Sequence, residues 1–176
     1  MDWDQYFISE AYLAARKSKD NSTQVGAVIV GPDREIRAKG YNGPPRGFND
    51  GDPSIYVRPL KYALFAHAEE NAITSCARIG VSCRGCAMYV TFHPCAHCAR
   101  MIVQAGISEV IMHSEFPTHL ISHWEDSLLI ATRIFSECGV QTRYWSGMPL
   151  IREILVNGMW YPLPDEINCS VHEPRD

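Results

Sequence analysis

No apolar run in this 176-residue chain approaches the roughly 18 to 20 residues of a helical membrane span, which argues against a membrane partner. The start, Met1-Asp2-Trp3-Asp4, lacks the basic charge of a secretory leader, so the expected location is cytoplasmic, in a cell or in its viral equivalent. Basic runs are also missing. No stretch of Lys or Arg exceeds a pair and the formal net charge is −4, whereas a polynucleotide backbone is normally held by a basic stripe. The seven cysteines are an odd number, which disfavours a disulfide framework and fits a reducing compartment. No internal repeat or low-complexity tract is visible, and the length fits one domain.

What the chain does have is a split cluster of donor side chains. His67-Ala68-Glu69 and Pro94-Cys95-Ala96-His97-Cys98 supply three metal ligands, His67, Cys95 and Cys98, together with a carboxylate, Glu69, that need not bind metal. A structural zinc site closes with four protein ligands, while a catalytic one keeps a position for water, whose pKa falls to about 7 on the metal. Three ligands beside a glutamate therefore read as chemistry. Each half alone has a plain explanation, since a lone Cys-x-x-Cys is more often a redox pair and a lone His-x-Glu a solvated helix face. Together they match the His-x-Glu and Pro-Cys-x-x-Cys signature of zinc-dependent nucleobase deaminases, in which the glutamate carries protons.

Local patterning places these motifs. Trp3 to Lys17 is an amphipathic helix with Trp3, Phe7, Ala11 and Ala14 on one face, with Tyr6 and Leu13 nearby. Val25 to Val30 and Ile36 to Tyr41 read as strands, and Gly26 within the first marks close approach of a helix or ligand. Gly40 to Gly47 forms a shaped loop, and Phe48 to Lys61 an irregular insertion. A helix is predicted over Ala63 to Ala77, a strand over Ala87 to Phe92, a helix over Cys95 to Gln104 and a strand over Ile107 to Met112. A further helix runs from about Ser122 to Cys138, with Leu128, Leu129, Ala131, Ile134 and Phe135 as its core, then a strand from Val140 to Trp145 parallel to the preceding one. The expected fold is a three-layer α/β/α sandwich with a mixed five-stranded sheet and both metal-bearing helices on one face. The domain is placed at residues 1–147. Residues 148–176 are a tail with a short helix over Leu150 to Val156, packing on the domain or on a neighbouring subunit.

His67 and Glu69 lie two apart, about 200° round a helix, so both can flank one metal only at the helix's first turn. Cys95 and Cys98, three apart, share a face, and helix N-termini favour thiolates. A competing four-thiolate site from Cys83-x-x-Cys86 with Cys95-x-x-Cys98 is disfavoured, because the intervening residues read as a strand that carries the pairs to opposite ends. Cys76 and Cys138 are expected in the core, and Cys169-x-x-His172 is an incidental pairing.

With these motifs in hand the chain resembles the deoxycytidylate (dCMP) deaminases of the cytidine deaminase superfamily. The likeness runs through Trp3-Asp4-x-Tyr6-Phe7, Arg16-Lys17-Ser18-Lys19-Asp20, Val25-Gly26-Ala27-Val28-Ile29-Val30, Gly40-Tyr41-Asn42-Gly43, His67-Ala68-Glu69, Met88-Tyr89-Val90-Thr91, Pro94-Cys95-x-x-Cys98 and Gln104-Ala105-Gly106-Ile107. The Gly-Tyr-Asn-Gly loop is what narrows it. The resemblance implies zinc-dependent hydrolysis of dCMP to dUMP and ammonia, feeding thymidylate synthesis, with attack at the amino-bearing ring carbon and Glu69 protonating N3 and the departing amine. It further implies Asn42 at the sugar hydroxyl, Ala68 against the substrate, Ser18 and Lys19 near the 5′-phosphate, and dCTP and dTTP effectors (with Mg2+) at Tyr41, Asn42, Gly43 and Arg46. A homo-oligomer follows from the same likeness, hexameric in many members. Departures from the common pattern are Glu70, His93 and Phe116. Deaminases of dCTP or of 5-modified dCMP remain alternatives. A tRNA deaminase is disfavoured by the acidic balance, and a catalytically dead regulatory member by the presence of Glu69 with all three ligands.

Overall fold

A computed structural model describes residues 1–117 and 124–163 of the chain. Helix α1 (Trp3–Ala15) opens on Asp2, whose carboxylate accepts the Gln5 amide at 2.7 Å and so satisfies one orphan donor. Its buried stripe is Phe7, Ile8, Ala11, Tyr12, Ala14 and Ala15. Trp3 and Leu13, expected near that face, are about half exposed, because the stripe turns toward Ile8 and Tyr12. Strands β1 (Gly26–Val30) and β2 (Ile36–Tyr41) pair antiparallel.

The insertion is partly regular. It holds a short 3-10 helix (Pro53–Tyr56) and leads into α2 (Leu60–Leu64), before α3 (Ala68–Ile79) begins. The single helix predicted over Ala63 to Ala77 is thus broken at Phe65–His67. There the chain turns extended, and Gly43 and Ala66 exchange backbone hydrogen bonds at 3.1 and 2.9 Å. A long-range pairing outweighs local helix propensity at this point. Strand β3 (Ala87–Val90), helix α4 (Ala96–Gln104), strand β4 (Glu109–His113), helix α5 (Glu125–Cys138) and strand β5 (Gln141–Trp145) follow as predicted, with ends shifted by one or two residues; the proposed α5 start at Ser122 lies outside the described residues.

The sheet order is β2-β1-β3-β4-β5, with β1 antiparallel to both neighbours and β3, β4 and β5 parallel. Side chains alternate cleanly across it. Ala27, Ile29, Met88, Val90, Val110 and Met112 face α3, α4 and α5, while Val28, Val30, Tyr89 and Ile111 face α1. The result is the expected three-layer sandwich. Within α5 only Ala131 and Phe135 are fully buried; Leu129 is exposed, and so is Cys138, which was expected in the core.

The tail differs from expectation. Instead of a helix over Leu150 to Val156, β6 (Glu153–Val156) and β7 (Met159–Pro162) form a hairpin. Asn157-Gly158 makes the turn with φ of 50° and 78°, the conformation an Asn-Gly pair favours between twisted strands. Ile154, Val156 and Leu163 pack into the α1 layer of the same chain. Cys169 and His172 lie outside the described residues. Among the described residues no helix is long and apolar enough to cross a membrane.

Because β1 runs opposite to β2 and β3, its start meets their ends: Gly26 pairs with Tyr41 and Ala27 with Val90. Val25, Asn42 and the Phe92 to Cys95 turn therefore converge on one edge of the sheet, beside the first turns of α3 and α4.

Candidate active site

Two helix N-termini deliver the metal donors. His67 caps α3 and Cys95 caps α4, both with extended backbone (ψ 164° and 171°) and neither using its side chain as a cap. The His67 Nδ1 lies 3.5 Å from Cys95 Sγ and 3.4 Å from Cys98 Sγ, and the three donor atoms lie within 4.8 Å of one another. No other such His/Cys/Asp/Glu cluster occurs among the described residues. A tetrahedral zinc with bonds of about 2.3 Å to sulfur and 2.05 Å to nitrogen places those atoms about 3.6 Å apart, so the donor set fits that ion. Cys83 and Cys86 sit buried before the opposite end of β3, outside this cluster.

The donors poise one another electrically. Hydrogen bonding to the Cys95 sulfur lifts the His67 imidazole to about 9, and bonding from the Cys98 thiol, aided by His67, brings Cys95 down to about 3. The same shared bond makes Cys98 harder to ionise. Glu69, in the first turn of α3, is 4 % exposed, and burial raises its carboxyl above the ordinary glutamate range. The structure thus sets a buried carboxyl close in sequence and space to the three-donor set.

His67, Glu69 and Cys95 line a cavity with aromatic walls. Tyr62, Phe65, Phe92 and Trp124 line it, and Trp124 stands edge-on to the His67 ring at 5.7 Å. Its polar side is a bonded network. Asn42 donates from Nδ2 to Asp20 Oδ2 at 2.9 Å and to the Thr23 carbonyl at 2.8 Å, and its Oδ1 accepts the Val25 amide at 2.9 Å. Both amide hydrogens are spent, so any further hydrogen bond at this cavity-lining side chain falls to Oδ1, which accepts only one so far. Asp20 also accepts from the Lys61 ammonium at 2.6 Å.

The sequence profile described as the cytidine and deoxycytidylate deaminase zinc-binding region matches residues 1–114. The chain belongs to this deaminase family. Human deoxycytidylate deaminase is 39 % identical over 149 residues, covering 81 % of this chain and 79 % of the relative. The deoxycytidylate deaminase of Mycobacterium phage D29 is 35 % identical over 126 residues, covering 65 % of this chain and 96 % of the relative. Among solved structures, the dCMP deaminase of cyanophage S-TIM5 in complex with dCMP and dUMP superposes with a TM-score of 0.61 at 25 % identity, covering 80 % of this chain and 95 % of that one.

In this deaminase the structure gathers His67, Ala68, Glu69, Cys95 and Asn42 around one cavity. Ser18 and Lys19 do not line it. Ser18 holds the loop behind the cavity, donating to the Asn42 carbonyl at 2.7 Å and accepting the Asp20 amide at 3.1 Å. Lys19 pairs with Asp50 at 2.5 Å on the rim of a neighbouring recess, which Tyr41, Asn42, Gly43 and Arg46 also line. Of the three departures, His93 lines the cavity with burial lowering its pKa, Glu70 lies 3.8 Å from His97, and Phe116 is buried against Phe92. Sequence reasoning missed Asp20, Arg58, Lys61, Trp124 and Asn157 as cavity residues. The Asn157-Gly158 dipeptide between apolar runs is a hairpin signal that could have found the last.

Proposed function

We propose that this deaminase converts dCMP to dUMP and ammonia, with His67, Cys95 and Cys98 holding a zinc ion. The observation that carries the reading is the three-donor cluster with donor spacings near those of a tetrahedral zinc edge, set beside the buried carboxyl of Glu69. Zinc bound there supplies an activated water near neutral pH. Glu69, whose carboxyl burial raises, would carry both protons of the attacking water, the first to ring N3 and the second from the new C4 hydroxyl to the departing amine, so that dCMP and water give dUMP and ammonia. Phe65, Phe92 and Trp124 enclose the pyrimidine and exclude bulk water. Asn42 accepts a sugar hydroxyl at its open lone pair, and Ala68, fully buried at the floor, sets the contact surface for the base.

The recess beside the cavity is read as the site of dCTP and dTTP control, with Mg2+ accompanying the triphosphate. Lys17 and Arg46 line it beside Lys19 and Lys39, whose partners Asp50 and Glu10 a bound triphosphate would displace. Asn42 belongs to both walls, which offers a direct mechanical link between effector and substrate. Assembly as a homo-oligomer and supply of dUMP for thymidylate synthesis complete the reading.

The test is ammonia release by zinc-loaded protein from dCMP, dCTP, deoxycytidine and 5-substituted dCMP, with and without added dCTP and dTTP. Preferred turnover of dCMP, with a saturation curve shifted by dCTP, is expected. Preference for dCTP or a 5-substituted nucleotide would replace the substrate, and inertness toward all four would sink the reading.

A further inference from the structure

The cavity's charges leave one cation unaccounted for. Among the ionisable side chains that line it, Asp20 and Lys61 neutralise each other at 2.6 Å, Glu69 is buried with a raised carboxyl, and His67 and Cys95 belong to the metal donors. Arg58 has no carboxylate and no hydrogen bond among the described residues. It lies over the face of Tyr62, with the guanidinium carbon 5.4 Å from the ring centre. An arginine laid over an aromatic ring keeps its fork of five donors available.

Its position matters as much as its freedom. Arg58, Lys61 and Asn157 line both the cavity and a wider recess outside it, so they mark the mouth through which the deep end opens to solvent. A nucleotide whose amino-bearing ring carbon faces the metal donors must send its other end toward that mouth. Two segments separated in sequence build it. The insertion brings Arg58 and Lys61, and the β6–β7 turn brings Asn157, anchored where its amide donates to Thr23 Oγ1 at 3.2 Å and the Gly158 amide donates to the Ser22 carbonyl at 2.8 Å.

The geometry points to Arg58 as the residue that reads the substrate's 5′-phosphate. This rests on the reading that the cavity takes a cytidylate. The guanidinium binds the phosphate through paired N–H donors at the mouth, with the Lys61–Asp20 pair holding the wall behind it. The irregular insertion thereby acquires a role in selecting a nucleoside monophosphate over a nucleoside.

The test compares zinc-loaded wild type with Arg58→Gln, Arg58→Lys and, as a charge control, Arg133→Gln on the far helix α5. For each, kcat/KM is measured on dCMP and on deoxycytidine, and calorimetry measures binding of the products dUMP and deoxyuridine. The dCMP to deoxycytidine ratio is expected to fall about 10- to 100-fold in Arg58→Gln, less in Arg58→Lys, and not in Arg133→Gln. The dUMP preference should fall in parallel. An unchanged ratio in Arg58→Gln, whether neither substrate or both equally are affected, overturns the assignment. The two readings fail separately. A wild type inert toward dCMP whose dUMP binding still needs Arg58 loses the proposed reaction but keeps this site, whereas one that turns over dCMP regardless of Arg58 loses only this site.

Discussion

Lys61 Nζ lies 2.6 Å from Asp20 Oδ1, with only 8 % and 3 % of the two side chains exposed, and the other Asp20 oxygen accepts Asn42 Nδ2. A buried charge left without its partner is costly. Lys61→Met should therefore destabilise the fold by about 3–5 kcal/mol, and the double variant Asp20→Asn/Lys61→Met should regain much of the loss. Urea unfolding of the single and double variants measures both. Equal stabilities for the wild type and Lys61→Met would show that the pair is not a closed buried unit.

Glu69→Gln keeps the size and removes the carboxyl proposed to carry protons. Zinc content is expected to stay near the wild-type level while kcat falls by about 10²–10⁴. Metal analysis and ammonia release on the same preparation check this. Activity retained with zinc retained would remove Glu69 from the mechanism.

Cys95→Ala and Cys98→Ala should each lose the zinc, because two donors cannot replace three. Cys83→Ala should keep it, since Cys83 lies outside the donor cluster and burial pushes its thiol up to about 12, away from the thiolate a ligand must be. Metal-to-protein ratios after gel filtration decide between the cases, and equal loss in all three variants would revive the four-thiolate site.

Two glycines give a contrasting pair. A Cβ at Gly26 would stand 1.9 Å from the Ala11 carbonyl oxygen of α1, and one at Gly40 would stand 2.0 Å from the Ala68 carbonyl oxygen of α3. Both contacts are with backbone, so each Ala variant must push a helix away, at about 1–3 kcal/mol or more. Gly40→Ala displaces the turn that carries His67 and Glu69 and should lower kcat as well as the melting temperature. Gly26→Ala moves α1 and should act mainly on stability.

Asp4 links α1 to the sheet edge, accepting two bonds from Arg143 at 2.7 and 2.8 Å and one from the Tyr89 hydroxyl at 2.8 Å. The Arg143 bonds hold its carboxyl below the ordinary value of 3.8. A depressed native pKa means that the contribution is full above the unfolded value and disappears as pH falls through the native one. Asp4→Asn should then lower stability at neutral pH and narrow the gap from wild type below about pH 4, as acid-titrated thermal melts would show.

The donor cluster was legible because its chemistry is local. His-x-Glu and Pro-Cys-x-x-Cys carry ligand type and spacing within a few residues, and periodicity places the cysteine pair at the start of a helix and His67 within the early part of another. The mixed five-stranded sheet and its parallel last pair were accessible for a similar reason, since a strand-helix-strand crossover leaves few connections open, while the full strand order came from the structure. Local patterning failed at Ala63–Ala77, where pairing of Ala66 with Gly43 broke a helix that propensity alone would have continued. It failed again at Leu150–Val156, where an Asn-Gly turn and β-branched residues made a hairpin.

By itself, then, the sequence determined the donor set, the glutamate beside it and the layered fold, because those depend on contacts between near neighbours and on the burial of periodic apolar faces. The tertiary structure decided what surrounds the chemistry. Asn157 meets Thr23 across 134 positions of chain, Lys61 meets Asp20 across 41, and Arg58 reaches the mouth from an insertion with no periodic signal. Such contacts form only when the antiparallel β1 brings both ends of the molecule to one sheet edge, and no local pattern encodes that meeting.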